Sequence, residues 1–215
     1  MHPTADPCRQ QARRTPPPLP QARPVPDRYR YPRRCPRVTD RTLYIVVCGA
    51  PLASRTADGV KAARANGWDP YVIPTDAALP WLADQDLGDT PVITGNRTPD
   101  QPKRTPPAAA VAVVPTTFNT LNAWANGNAH SYALTTLCAA LGSRTPTVAI
   151  PFAKDDLAGH PAWLASIAVL TYSGVRMIDP HDGSRTTAKP LTSGTGQSVS
   201  DRFQWQWVLG ALEIM

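Results

Sequence analysis

A chain of 215 residues that is 42% hydrophobic and 18% charged is long enough to bury one full core, and no stretch of it approaches membrane-spanning length. The formal charge of +6 and pI near 9.4 would suggest a nucleic-acid partner. However, residues 1–37 hold nine of the 22 Lys+Arg and ten of the 25 prolines against only Asp6 and Asp27, which leaves the rest at about −1. No nucleic-acid partner is therefore expected for the folded part.

Residues 1–39 read as a disordered Pro/Arg-rich tail, because they lack the aliphatic side chains that could offset the entropy of ordering. Three readings of the tail fit: a segment for anionic partners, an extension without function, or a misassigned start ahead of Val38-Thr39-Asp40. No apolar signal-peptide core is present. Cys8, Cys35, Cys48 and Cys138 form no C-x-x-C, so neither zinc nor a disulfide framework is expected, and a reducing cytoplasm is the default location.

The folded domain is expected over residues 40–215. Leu43 to Cys48 reads as a buried strand, followed by the loop Gly49-Ala50-Pro51-Leu52-Ala53-Ser54 and a helix to about Asn66, with Gly67 suited to the left-handed position past its end. Tyr71 to Ile73 is a second strand, ending in Pro74-Thr75-Asp76. The stretch 77–107 is weak, with one short strand at Pro91 to Thr94 and a Pro/Arg loop. Residues 108–114, AAAVAVV, read as a strand buried on both faces; Pro115-Thr116-Thr117-Phe118-Asn119-Thr120 then leads into helices at about Thr120 to Gly127 and Ala129 to Gly142. Val148 to Ile150 is the next strand, with Pro151-Phe152-Ala153-Lys154-Asp155-Asp156 after it. Pro161 fits the first position of a helix that buries Trp163, Ile167 and Leu170. Val175 to Ile178 is a last strand, Gly183 to Ser200 a polar loop, and Phe203 to Ile214 a closing amphipathic helix.

Strands alternating with helices of this length specify an α/β fold with a doubly wound parallel sheet, Rossmann-like and three-layered. In such sheets ligands lie outside the carboxyl ends of the strands. Four strand ends here finish in small or polar loops, at Gly49 to Ser54, Thr75-Asp76, Thr116 to Thr120 and Phe152 to Asp156. That pattern suits a flat, mostly neutral ligand carrying a phosphate.

The same residues resemble the flavoprotein superfamily of homo-oligomeric, FMN-containing cysteine decarboxylases, which includes phosphopantothenoylcysteine and lantibiotic-peptide decarboxylases. The likeness rests on Pro115 to Thr120 with Ala125-Asn126-Gly127 behind it, on Pro151-Phe152-Ala153-Lys154 with His160-Pro161 six residues on, and on the loop Gly49 to Arg55, in that order along residues 42–178. The Thr-Phe-Asn-Thr variant followed by His-Pro looks most like actinobacterial paralogues. The resemblance implies FMN as cofactor, with Gly49, Ala50 and Pro51 around its phosphate and Thr75 nearby. Thr116, Thr117, Phe118, Asn119 and Thr120 then face its ribityl chain or ring. It also implies a homo-oligomer, a trimer, acting on a small-molecule or peptide substrate.

Asn119 equally suits a helix N-cap, and Gly49 a tight turn. The family's histidine base falls at Gln101, and no histidine lies between His2 and His130. The family's Pro-x-Met-Asn asparagine is Lys154. Lys154 with Asp155 or Asp156 are the catalytic candidates that remain, as an anion-binding cation and a desolvated base; a capping Asp beside a solvated Lys is the plainer alternative. His160 reads as a helix cap. A flavin-dependent redox or decarboxylation enzyme, a flavin-binding regulatory protein without activity, and a scaffold that binds no flavin are the three functions to separate. No metal ligand set is expected.

Overall fold

The computed structural model describes residues 41–96, 98, 100, 105–185 and 189–214. The expectations for residues 1–39 and for Gln101 fall outside them. Five strands, β1 Thr42–Val47, β2 Asp69–Pro74, β3 Ala110–Thr116, β4 Thr147–Pro151 and β5 Arg176–Met177, form one sheet in the order β2-β1-β3-β4-β5. Every neighbouring pair is parallel. The helices are α1 Thr56–Ala65, α2 Leu79–Leu82, α3 Phe118–Ala125, α4 Tyr132–Gly142, α5 Asp155–Ala158, α6 Pro161–Tyr172, α7 Gly196–Arg202 and α8 Trp205–Leu212.

Strand periodicity explains the layering. Leu43, Ile45 and Val47 of β1, with Ala110, Ala112 and Val114 of β3, enter a core shared with α1, α7 and α8. The alternate residues Tyr44, Val46, Val111 and Val113 enter a second core against α3, α4 and α6. All six residues of β1 and all seven of β3 are buried, as a doubly covered strand requires. Each aliphatic side chain so buried contributes about 1.5–3 kcal/mol.

The chain leaves β1 toward β2 on one side and returns to β3 on the other. The strand order thus reverses between β1 and β3, where a crevice opens beyond their carboxyl ends. At Pro115, which has no N–H to give, the β3–β4 register shifts between Val113 and Thr116. The carbonyls still pair: Cys48 N donates to Pro115 O (3.3 Å) and Phe152 N to Thr116 O (2.9 Å).

Three expectations need correction. The strand at Pro91 to Thr94 is a single bridge from Val92 to Val72, since Pro91 can accept from Val72 N but cannot donate. The polar loop to Ser200 contains α7, whose weak formers are held by burial of Val199 and by hydrogen bonds from Arg55 to the carbonyls of Ser200 (2.8 Å) and Asp201 (3.2 Å). The helix expected from about Ala129 begins at Tyr132, where Ser131 Oγ accepts from Leu134 N and sets the start. Gly67 does take the left-handed conformation (φ 74°), and His160 Nδ1 accepts from Ala162 N to cap α6.

Candidate functional site

A cavity of about 940 Å³ lies across the carboxyl ends of β2, β1, β3 and β4. Of the sequence-derived site residues, Gly49, Ala50, Pro51, Thr75, Thr117, Phe118, Asn119, Thr120 and Lys154 line it. Two do not. Thr116 is fully buried and its hydroxyl donates to Val113 O (3.1 Å) beneath the floor. Asp155 turns to its own chain, its carboxylate accepting from Asp156 N (3.0 Å).

The four strand ends share one local design. Ala50, Thr75, Thr117 and Lys154 are the N-cap residues of the turns or helices that follow β1, β2, β3 and β4, and no side chain caps any of the four. The first N–H groups of a helix have no partner within it, so the starts after β1, β2 and β3 present uncapped donors and partial positive charge at the cavity. After β4, by contrast, Asp155 N donates to Leu191 O, Asp156 N to Asp155 Oδ1 and Leu157 N to Asp156 Oδ1. Thr117 Oγ1 instead contacts Thr120 Oγ1 (3.3 Å). Asn119 is not an N-cap: it is the second residue of α3 and its side chain is exposed at the cavity.

The loop after β1 is poorer in donors than its likeness to a phosphate loop suggests. Pro51 has no N–H, Ser54 Oγ donates to Pro51 O (2.8 Å), and the Arg55 guanidinium is occupied by Asp58 and the α7 carbonyls. Gly49 has a steric reason to be glycine, because a Cβ there would come 2.3 Å from Ala77 O.

The side walls are apolar. Phe118 stacks on Trp163 (centroids 5.9 Å, planes 11° apart) and meets the edge of His160 (6.0 Å, 85°), so its ring is fixed from behind. Trp81, Phe152, Leu157 and Leu191 complete the apolar lining. Among the described residues that line the cavity, Lys154 is the one Lys or Arg. Asp76 stands at the other end, three strand spacings or roughly 14 Å away, so the two charges do not neutralise each other. Below the floor, burial pushes the Cys48 thiol above its ordinary value, and hydrogen bonds with Thr120 and Thr117 oppose that shift without cancelling it.

Further residues line the cavity from elements distant in sequence. His130 belongs to the connection before α4, Trp81 to α2, and Gln197 to α7. Leu191 is brought in by a bridge to Lys154: Leu191 N donates to Ala153 O and Asp155 N to Leu191 O, both at 2.9 Å. Nothing in the sequence marks Trp81 or Leu191 as cavity residues. Among the described residues no group of three or more His, Cys, Asp or Glu could hold a metal ion, and no helix is long and apolar enough to cross a membrane.

A family model described as Flavoprotein matches residues 41–200. No curated protein matches by sequence. Phenylacrylic acid decarboxylase from Aquifex aeolicus superposes with a TM-score of 0.59 at 17% identity, over 81% of this chain and 98% of that one. AnUbiX (PadA1), in complex with FMN and dimethylallyl pyrophosphate, gives 0.58 at 16% identity over 80% and 92%. The FMN-dependent cysteine decarboxylase TvaF from thioviridamide biosynthesis gives 0.57 at 16% identity over 75% and 98%. At these identities the likeness establishes the fold.

Proposed function

Because this chain belongs to the Flavoprotein family, we propose that the cavity binds FMN and that the protein performs flavin-dependent redox or decarboxylation chemistry on a small-molecule or peptide thiol. The observation that carries this reading is the cavity itself: uncapped turn or helix starts at three strand ends, with Lys154 at the fourth, facing an apolar, aromatic-walled space at the sheet's switch point. Its residues fit the group. Gly49, Ala50, Pro51 and Thr75 would hold the phosphate; Thr117, Phe118, Asn119 and Thr120 the ribityl chain and ring. Bound FMN supplies an acceptor for two electrons.

Lys154 would hold an acidic group of the substrate, since it is exposed at the cavity and no ion pair engages it among the described residues. His130 is exposed at the same cavity, where it would meet a bound ligand. We further propose a cytoplasmic homo-oligomer, a trimer. In support, α6 carries no charged residue yet leaves Leu164 and Val169 exposed.

A second reading, a flavin-binding protein without activity, is favoured by Gln101 at the position of the family's base. The experiments run in order. Reconstitution with FMN is expected to give a bound-flavin absorption spectrum, and Asn119→Ala to weaken its retention; no uptake by the wild type refutes the reading. Anaerobic stopped-flow mixing with C-terminal cysteine compounds is then expected to bleach the flavin. Binding without bleaching by any of them selects the second reading.

A further inference from the structure

Asp179 follows β5 and is fully buried, yet no Lys or Arg side chain contacts it among the described residues. Its carboxylate is matched by three donors. Oδ1 accepts from His181 N (2.8 Å) and lies 2.8 Å from His181 Nδ1, and Oδ2 accepts from Lys189 N (2.8 Å). Its backbone joins in, Asp179 N donating to Ser184 O (2.9 Å) and Gly183 N to Asp179 O (3.0 Å). A buried carboxylate with this set of N–H partners is a fixed hub, because leaving any of them unpaired is costly.

What Lys189 begins is a strap along one wall of the cavity. Leu191 adds a short rung to the end of β4, and Thr192, Gly194 and Gln197 line the cavity. Gly196 sits against the loop after β1, so closely that a Cβ there would be 3.2 Å from Pro51 Cγ. Beyond it, α7 is tied to Arg55. The strap thus spans from the β4 end to the β1 end, tied at Asp179, at the Leu191 rung and, through α7, at Arg55.

We propose that Asp179 is a positioning residue: its hydrogen bond to the Lys189 amide holds residues 189–197 against the cavity and so sets how fast the bound ligand leaves. The ligand part rests on the flavin reading above; the mechanical part does not. Asp179→Asn places an amide NH₂ where one of the three donors now bonds, and Lys189→Pro deletes the donor N–H together with the exposed Lys189–Asp182 ion pair (3.4 Å), which Lys189→Ala removes by itself as a control.

The test is hydrogen exchange by mass spectrometry on the full chain, beside the rate of FMN release into excess apoflavodoxin-type scavenger. In Asp179→Asn, peptides covering 189–197 should exchange faster while β1 to β4 stay protected. FMN should leave roughly tenfold to a hundredfold faster, the scale of one charge-assisted hydrogen bond. The double variant should release it no faster than the faster single variant, since both break one bond. Unchanged exchange in 189–197 overturns the latch, and faster exchange with unchanged FMN release overturns its positioning role. If Asp179→Asn loses protection throughout the sheet, Lys189→Pro decides by the same two criteria. A wild type that takes up no FMN refutes the flavin reading, and the exchange measurement still decides the latch.

Discussion

Gly49→Ala is the sharpest probe of how the fold shapes the site. The added Cβ would lie 2.3 Å from Ala77 O, 2.6 Å from Ala77 C and 2.9 Å from Ala77 Cβ. Ordinary contact begins near 3.4 Å, so the backbone at Ala77 must retreat by about 1 Å, and no side-chain rotation can relieve a clash with backbone. Overpacking of this kind costs about 1–3 kcal/mol. The alanine also restricts the unfolded chain, which returns roughly 0.4–1 kcal/mol. A net loss of about 1–2 kcal/mol corresponds to a fall in Tm of roughly 3–6 °C for a domain of this size.

The same displacement moves the turn Asp76–Ala78 and the Thr75 that precedes it, both at the cavity wall. A 1 Å shift takes a hydroxyl out of hydrogen-bond range of a phosphate oxygen. Loss of one bond to a charged group raises Kd on the order of tenfold to a hundredfold. Thermal unfolding of the ligand-free protein reads the first effect, and titration of FMN fluorescence the second. A variant with wild-type Tm and wild-type FMN affinity would refute the close approach and its role in shaping the site. A lower Tm with unchanged affinity would keep the approach and refute the assignment of Thr75.

Two further outcomes follow from the charges. Lys154→Met should weaken a carboxylate-bearing substrate several-fold in the KM for flavin reduction, and should flatten its dependence on ionic strength, while FMN affinity stays within about twofold; an unaltered salt dependence would remove Lys154 from substrate recognition. Burial raises the Cys48 thiol in the folded state, so its contribution to stability is complete below the ordinary thiol value of about 8.5 and declines as pH rises past that value toward the folded one. Cys48→Ala should therefore lose less stability between about pH 8 and 10 than the wild type in urea unfolding, and parallel curves would contradict the assignment.

The sheet was legible because β1 and β3 are unbroken apolar runs with small or polar turns after them, a pattern that admits few alternatives to a doubly covered parallel strand. The cavity floor and the four turn starts were legible for the same reason, since topology brings them to one edge. Of the two readings open for Asn119, the N-cap one falls because α3 starts at Phe118, one residue before it, with Thr117 as the N-cap; helix ends are weakly coded where no capping side chain marks them. Asp155 stands beside Lys154 in sequence but is not among the residues that line the cavity, and its carboxylate accepts from the next backbone N–H. Trp81, His130 and the strap from Leu191 reach the cavity through tertiary contacts. The strap depends on Asp179 and on pairing with Ala153 and Asp155, none of which is near it in sequence.

Trp81 gives the cavity an optical property of its own. It is one of six tryptophans, lines the cavity and is 39% exposed, whereas Trp124, Trp163 and Trp205 are buried at 5% exposure or less. A flavin seated in the cavity would lie in contact range of one wetted indole and, through Phe118, one ring behind the indole of Trp163. The protein therefore carries its own fluorescence gauge. Emission from the solvent-exposed indole should be quenched as the cavity fills, so occupancy can be followed without a label, and Trp81→Phe should remove most of the red-shifted part of that signal.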